Sequence, residues 1–142
     1  MKTILQLDNQ LCFALYTANR KMIQQYKPLL DPMKLTYPQY LVMLVLLEED
    51  HITVKCLGEK LSLDSGTLTP MLKRMEKTGY VTRERSIEDE RKVIISLTKE
   101  GFALEVQLEK VPKSLCYTLD IDLEELVSLK ERLNTLTKSM EC

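Results

Sequence analysis

Along most of the chain apolar side chains recur every three or four residues, and only between residues 80 and 97 do they alternate instead. Over residues 8–28, Cys12, Leu15, Met22 and Tyr26 stand near helical spacing, and Asp8 or Asn9 is placed to cap the start. Pro28 and Pro32, in KPLLDP, are expected to end that helix. A second helix follows Thr36 through YPQYLVMLVLLEE, with Pro38 in the first turn, where proline is tolerated. This stretch is apolar on nearly every side, which predicts the buried centre of the fold. Thr53 can cap a short third helix whose Val54, Leu57 and Leu61 face inward. The turn SLD, with Asp64 as N-cap, leads into SGTLTPMLKRMEKTG, a fourth helix that stops at Gly79. Its apolar stripe is Leu68, Met71, Leu72 and Met75.

After Gly79 the period changes. YVTRER and RKVIISL read as two strands, with Val93, Ile95 and Leu97 on one face and the charged loop SIEDE between them. Thr98 then caps a long helix through residue 119, with a kink expected at Pro112. A last helix starts at Asp122, with Glu125 placed for a capping box, and carries Leu126, Leu129, Leu133 and Leu136. This order predicts a mainly α fold with a small β-hairpin wing: a winged helix-turn-helix. Pro70 fits the fourth helix poorly. It loses one backbone bond and should clash with the carbonyl of Gly66, so a local bend is expected there.

Composition narrows the class. The 142 residues are one domain's worth, and 44% hydrophobic with 29% charged residues is the balance of a soluble globular protein. MKTILQLDNQ has one lysine and no long apolar run, so neither a signal peptide nor a membrane span is expected, and the protein is expected in the cytoplasm. Thiols are kept reduced there, so the four cysteines read as free or redox-active and not as a disulfide framework. One histidine and no CxxC pair argue against zinc, and no cofactor is expected. The net charge of −1 gives no global sign of nucleic-acid binding, so such a function has to come from a local patch.

Such a patch exists between residues 65 and 92. The outer face of the fourth helix offers Ser65, Thr67, Thr69, Lys73 and Arg74, which suit phosphate positioning and base-edge contacts in a major groove. Pro70 belongs with this face, as a bend fitted to the groove. The helix start also presents free N–H groups to phosphate. The hairpin adds Arg83 and Arg85 on one strand and Arg91 and Lys92 at the start of the next, a basic finger for a narrow minor groove. A helical hairpin with a solvated charged face is the commoner arrangement in general. Turn, hydroxyl-rich helix and arginine-bearing hairpin in this order favour double-stranded DNA.

The run LDSGTLTPMLKRMEKTGYVTRERSIEDERKVIISLTKEG, residues 63–101, resembles the winged helix-turn-helix of the MarR family of bacterial transcription regulators. LCFALY, QYKPLLD and LTYPQYLVML resemble, within that family, the organic hydroperoxide sensing repressors. The resemblance covers roughly residues 8–101 with specific motifs, and the C-terminal third matches mainly in its helical pattern. It implies a single domain over residues 1–142 acting as a homodimer on a pseudo-palindromic operator. Dimerisation helices at 8–48 and 99–142 would flank a winged motif at 53–98. By the same resemblance Arg91 is similar to the wing arginine inserted into the minor groove, and Asp89 to the acid that braces it. Thr67, Thr69, Lys73 and Arg74 match the recognition-helix face.

Cys12, in NQLCFALYTANR, reads on its own as a small core filler, since free cysteine is among the most buried residue types. The resemblance matches it instead to the family's peroxide-reacting cysteine. Tyr26 and Tyr37 match the tyrosines that hydrogen-bond to that sulfur from the partner subunit, and Tyr16 lines the same pocket. Hydrogen bonds to a thiolate favour its charged, nucleophilic form, and so does a place in a helix's first turn. Cys116 is either a buried hydrophobe beside Leu115 or, as the resemblance favours, the resolving thiol of an intersubunit disulfide with Cys12. Cys56 reads as helix filler and Cys142 as a terminal residue. The expected function is that of a repressor, not an enzyme, released from its operator when a hydroperoxide oxidises Cys12. Three other readings remain: a repressor answering to a small ligand with Cys12 inert, a thiol peroxidase, and a winged helix that binds only protein. The peroxidase has against it that no compact peroxidase motif surrounds Cys12 and that the basic wing would be unexplained.

Overall fold

The most apolar segment is the most deeply buried one. In the computed structural model, which describes residues 3–141, α2 (Tyr37–Glu48) starts with a closed capping box. Thr36 Oγ1 accepts the Gln39 amide (3.4 Å) and Gln39 Oε1 accepts the Thr36 amide (3.0 Å). From there Val42, Met43 and Leu46 are wholly enclosed, as the unbroken apolar run predicts. The neighbours that close over them are α1 (Leu11–Leu30), α3 (Val54–Leu61), α4 (Ser65–Thr78) and a small sheet. Leu68, Met71, Leu72 and Met75 are the buried stripe of α4, as expected.

The sheet has three strands, β1 (Ile52–Thr53), β2 (Val81–Arg85) and β3 (Val93–Leu97), in the order β1-β3-β2. The expected hairpin is β2 with β3, antiparallel, Arg83 opposite Ile95. The sequence shows no sign of β1, which pairs with β3 through Ile52 and Ile95. Two residues are too few for an alternation to appear. Beyond the sheet run α5 (Lys99–Ala103), α6 (Glu105–Thr118) and α7 (Leu123–Ser139).

Several expectations fail at helix ends, each for a local reason. Neither Asp8 nor Asn9 caps α1: Gln10 is the N-cap, without a side-chain bond, and the Asn9 amide is engaged upstream by the Thr3 carbonyl (2.8 Å). Pro28 does not end α1, which continues to Leu30 because Tyr26, Leu29 and Leu30 all pack on the core. The chain turns only afterwards, through a 3-10 turn at Asp31–Met33 and a left-handed Lys34 (φ 57°). The long helix after Thr98 breaks at Leu104 and not at Pro112, which lies inside α6. The Leu104 amide there bonds to the carbonyls of Gly101 and Phe102, and the turn is tightened while Leu104 inserts into the core. Asp122 does stand at the N-cap of α7, but its side chain makes no cap bond and the box with Glu125 does not form. Cys142 lies outside the described residues.

The enclosed part runs from the end of α1 through β3 and takes in Leu104 and one face of α6, while the start of α1 and all of α7 stand outside it. No residue of α7 is buried: Leu126, Leu133 and Leu136 are half-buried and Leu129 is exposed. Leu5, Leu7 and Leu11 are exposed at the other end. Among the described residues no helix is long and apolar enough to cross a membrane.

Candidate nucleic-acid interface and thiol site

With its apolar stripe turned inward, α4 presents Ser65, Thr67, Pro70, Lys73 and Arg74 to solvent, and Thr69 half-buried beside them. The helix runs unbroken through Pro70. At its start the Asp64 carboxylate accepts the Thr67 hydroxyl (2.6 Å) instead of a backbone amide. That bond, more than any other contact, holds the Asp64 carboxyl below the usual range. Gly66 leaves the carboxylate its room, since a Cβ there would come within 2.9 Å of Asp64 Oδ2.

Between α3, the start of α4 and the wing lies a cleft of about 860 Å³. Lys55, Ser65, Thr69, Arg83, Arg91 and Lys92 are among its lining residues. Arg91, its side chain 95% exposed, is tethered at its base: the amide donates to Asp89 Oδ1 (3.0 Å) and Nε lies 3.8 Å from the same oxygen. Lys92 is exposed beside it. Arg83 and Arg85, grouped with them by the sequence as a free basic finger, each also make a contact within the chain. Arg85 Nη1 donates across the hairpin loop to the Glu90 carbonyl (2.9 Å). Arg83 is half-buried, with Nη1 4.0 Å from Glu76 Oε1 and an enclosed Nε without a partner. Lys55 was missed; its only signal is a cation off the Val54, Leu57 and Leu61 stripe of α3.

The thiols lie elsewhere. Cys12 is the second residue of α1 and exposed, so within the chain it is no core filler. Tyr16, one turn on, is exposed too, with the Arg20 guanidinium 5.4 Å from its ring centre. Tyr26 and Tyr37 pack together with ring centres 4.8 Å apart. Tyr40 joins them at 5.6 and 6.0 Å; the sequence hides it inside the apolar run of α2. Burial, then the neighbouring Tyr37, Tyr40 and Cys116, pushes the Tyr26 phenol up to about 12. Burial also raises Tyr37 and Tyr40. These phenols therefore stay protonated and able to donate a hydrogen bond.

Cys116, on α6, is close enough to be felt by Tyr26, and it is exposed rather than buried beside Leu115. Fourteen residues of α1, about 21 Å of helix, separate Cys12 from Tyr26. Cys12 and Tyr16 thus occupy one end of α1, while Tyr26, Tyr37, Tyr40 and Cys116 gather at the other. Cys56 is half-buried in α3, its amide given to Thr53 Oγ1 (3.0 Å).

Residues 24–105 match the family model for the transcriptional regulator SarA/Rot. Over 136 residues, 96% of this chain and 92% of the relative, the sequence is 52% identical to the organic hydroperoxide resistance transcriptional regulator of Bacillus subtilis. The chain belongs to the MarR-type winged-helix transcriptional regulators. The resemblance read from residues 63–101 is thereby borne out, and these relatives are regulators rather than enzymes. Among solved MarR-type structures, reduced AbfR bound to DNA is 40% identical and superimposes with a TM-score of 0.78 over 96% of each chain. AbfR, a Staphylococcus epidermidis protein, in its disulfide form gives 39% identity and 0.69 over 92% of each chain. Overoxidized AbfR bound to DNA gives 0.79, so the present fold is more similar to both DNA-bound forms, reduced and overoxidized, than to the disulfide one.

Proposed function

We propose that this protein is a cytoplasmic redox-sensing repressor that binds operator DNA as a reduced homodimer and is released when a hydroperoxide oxidises Cys12. The outer face of α4, with Ser65, Thr67, Thr69, Lys73 and Arg74, enters the major groove. Arg91, braced by Asp89, reaches into the minor groove with Lys92 beside it. Helices over 8–48 and 99–142 form the dimer and carry two winged motifs, residues 53–98 of each chain, to half-sites about one turn of DNA apart.

One observation carries the redox part: the thiol and the phenols sit at opposite ends of α1. A disulfide needs Cα atoms within about 7 Å, and a donor must touch the sulfur it stabilises. Both conditions are met only if Cys12 of one subunit lies against Tyr26, Tyr37 and Cys116 of the other. The Cys12 thiolate attacks the peroxide, the O–O bond breaks, an alcohol leaves after taking up a proton, and the sulfur is left as sulfenic acid. The partner's Cys116 thiolate then attacks that sulfur and expels hydroxide, which leaves as water. Closing the bridge moves helices that belong to both subunits, and the spacing of the two winged motifs is lost.

The test is binding to a duplex selected from random sequence by the reduced protein, with and without an organic hydroperoxide. Wild type is expected to bind and be released, Cys12→Ser to stay bound, and Cys116→Ser to form no covalent dimer on a non-reducing gel. Wild type that fails to bind without oxidant, or undiminished release of Cys12→Ser, sinks the assignment.

A further inference from the structure

The wing is held to the rest of the molecule from two sides. At the base of β3, Asp50 Oδ1 accepts the Leu97 amide (2.8 Å) and His51 Nδ1 meets Ser96 Oγ (2.5 Å). β2 is the outer strand, joined to α4 by Gly79 and Tyr80 alone. Midway along it the Arg83 amide donates to Glu76 Oε2 of α4 at 3.0 Å. The other carboxylate oxygen, Oε1, lies 4.0 Å from Arg83 Nη1. One side chain thus takes an edge-strand donor that has no further strand to pair with. It also partners the guanidinium that lines the cleft between helix and wing. Only the first of these contacts is within hydrogen-bond range, and the guanidinium adds a weaker attraction. β2, paired with β3 on its other side, cannot swing away from α4 without losing the amide bond.

We infer that Glu76 is a positioning residue: it sets the pitch of the wing against α4, so that Arg91 reaches the minor groove while α4 is seated in the major groove. The inference rests on the DNA-binding reading above. Glu76 touches no base and no phosphate, and it acts through the backbone of Arg83.

Dimethyl sulfate tests it by reading both grooves at once, methylating guanine at N7 in the major groove and adenine at N3 in the minor. On the duplex selected by the reduced wild type, both should be protected. Glu76→Asp keeps the charge but is one methylene too short for the Arg83 amide. It is expected to lose adenine protection on the flanks, keep guanine protection at the centre of each half-site, and bind about tenfold more weakly. Glu76→Gln keeps an oxygen acceptor and should retain both protections with affinity within about a factor of two. Flank protection kept by Glu76→Asp, or lost equally by Glu76→Gln, overturns the inference. Amide exchange of Arg83 in the wild type gives a second measure free of any folding defect: slow exchange is expected, and exchange as fast as in the wing loop overturns the same claim. Wild type that protects neither groove would instead strike the DNA-binding reading itself.

Discussion

Two helices of similar pattern meet opposite fates. In α4 the stripe Leu68, Met71, Leu72 and Met75 is closed over completely by its own chain. In α7 Leu126, Leu129, Leu133 and Leu136 also line one helical face, at steps of three and four, yet none of these residues is buried. Periodicity states only that a helix has an apolar face. What covers the face is a separate matter, and for α7 and the exposed Leu5, Leu7 and Leu11 the chain supplies no sufficient cover. The winged motif is closed within one chain, and the outer layer is left open by it.

Stability measurements can break that contrast. Leu72→Ala, at a fully enclosed site, should cost about 2–5 kcal/mol whatever the protein concentration. Leu133→Asp should act through assembly instead. The wild-type unfolding midpoint should rise with protein concentration over a hundredfold range, because association stabilises the folded state, and the variant should lose most of that dependence. Denaturant curves at several concentrations, with sedimentation to count subunits, give both answers. A concentration-independent wild type would remove the distinction between the two helices.

Helix caps divide along the same line with smaller effects. Thr36 closes a reciprocal box at the head of α2, so Thr36→Ala should cost about 1 kcal/mol. Asp122 stands at the N-cap of α7 without a side-chain bond, leaving only its charge near the helix start, worth about 0.3 kcal/mol when exposed. Equal losses in urea titrations of Thr36→Ala and Asp122→Ala would show that the α7 cap closes in solution.

Legibility in the sequence followed the same division. The existence of α2, the stripe of α4 and the β2–β3 hairpin could be read because local pattern and tertiary burial agree there. Pro28 and Pro112 were misread because a proline removes one amide from a helix, and packing of Leu30, Leu108, Val111 and Leu115 outweighs that loss. β1 is two residues long and carries no period of its own. At the site, Cys12 could be singled out only through resemblance, since a cysteine among apolar residues looks the same whether its face is covered by its own chain or by nothing. Tyr40 and Lys55 escaped because their significance lies in what stands near them in space. Arg83 and Arg85 could be counted as cations, but the carboxylate and the carbonyl that hold them come from Glu76 and Glu90, and pattern does not show pairing.

The Tyr26 cluster is where the closed core meets the open layer, and alkaline pH probes it together with Tyr80, whose phenol burial also raises. The folded state raises the Tyr26 phenol from about 10 to about 12, with burial the first cause and Tyr37, Tyr40 and Cys116 following. The neutral form is therefore the one the fold prefers. Below pH 10 folded and unfolded chains both keep this proton, and the stabilisation is present in full. Between pH 10 and 12 the unfolded chain releases the proton more readily than the folded one, so stability falls as pH rises through that window. Tyr26→Phe removes the titrating hydroxyl but keeps the ring against Tyr37 and Tyr40. Its stability should decline less steeply from pH 10 to 12, with Tyr37 and Tyr40, raised in the same direction, retaining part of the slope. Urea midpoints of both proteins at pH 8 and pH 11, with thiols kept reduced, measure the difference. Parallel declines would mean that in solution the Tyr26 hydroxyl faces water, and a phenol so placed would not be positioned inside a subunit contact to donate to the thiolate of Cys12.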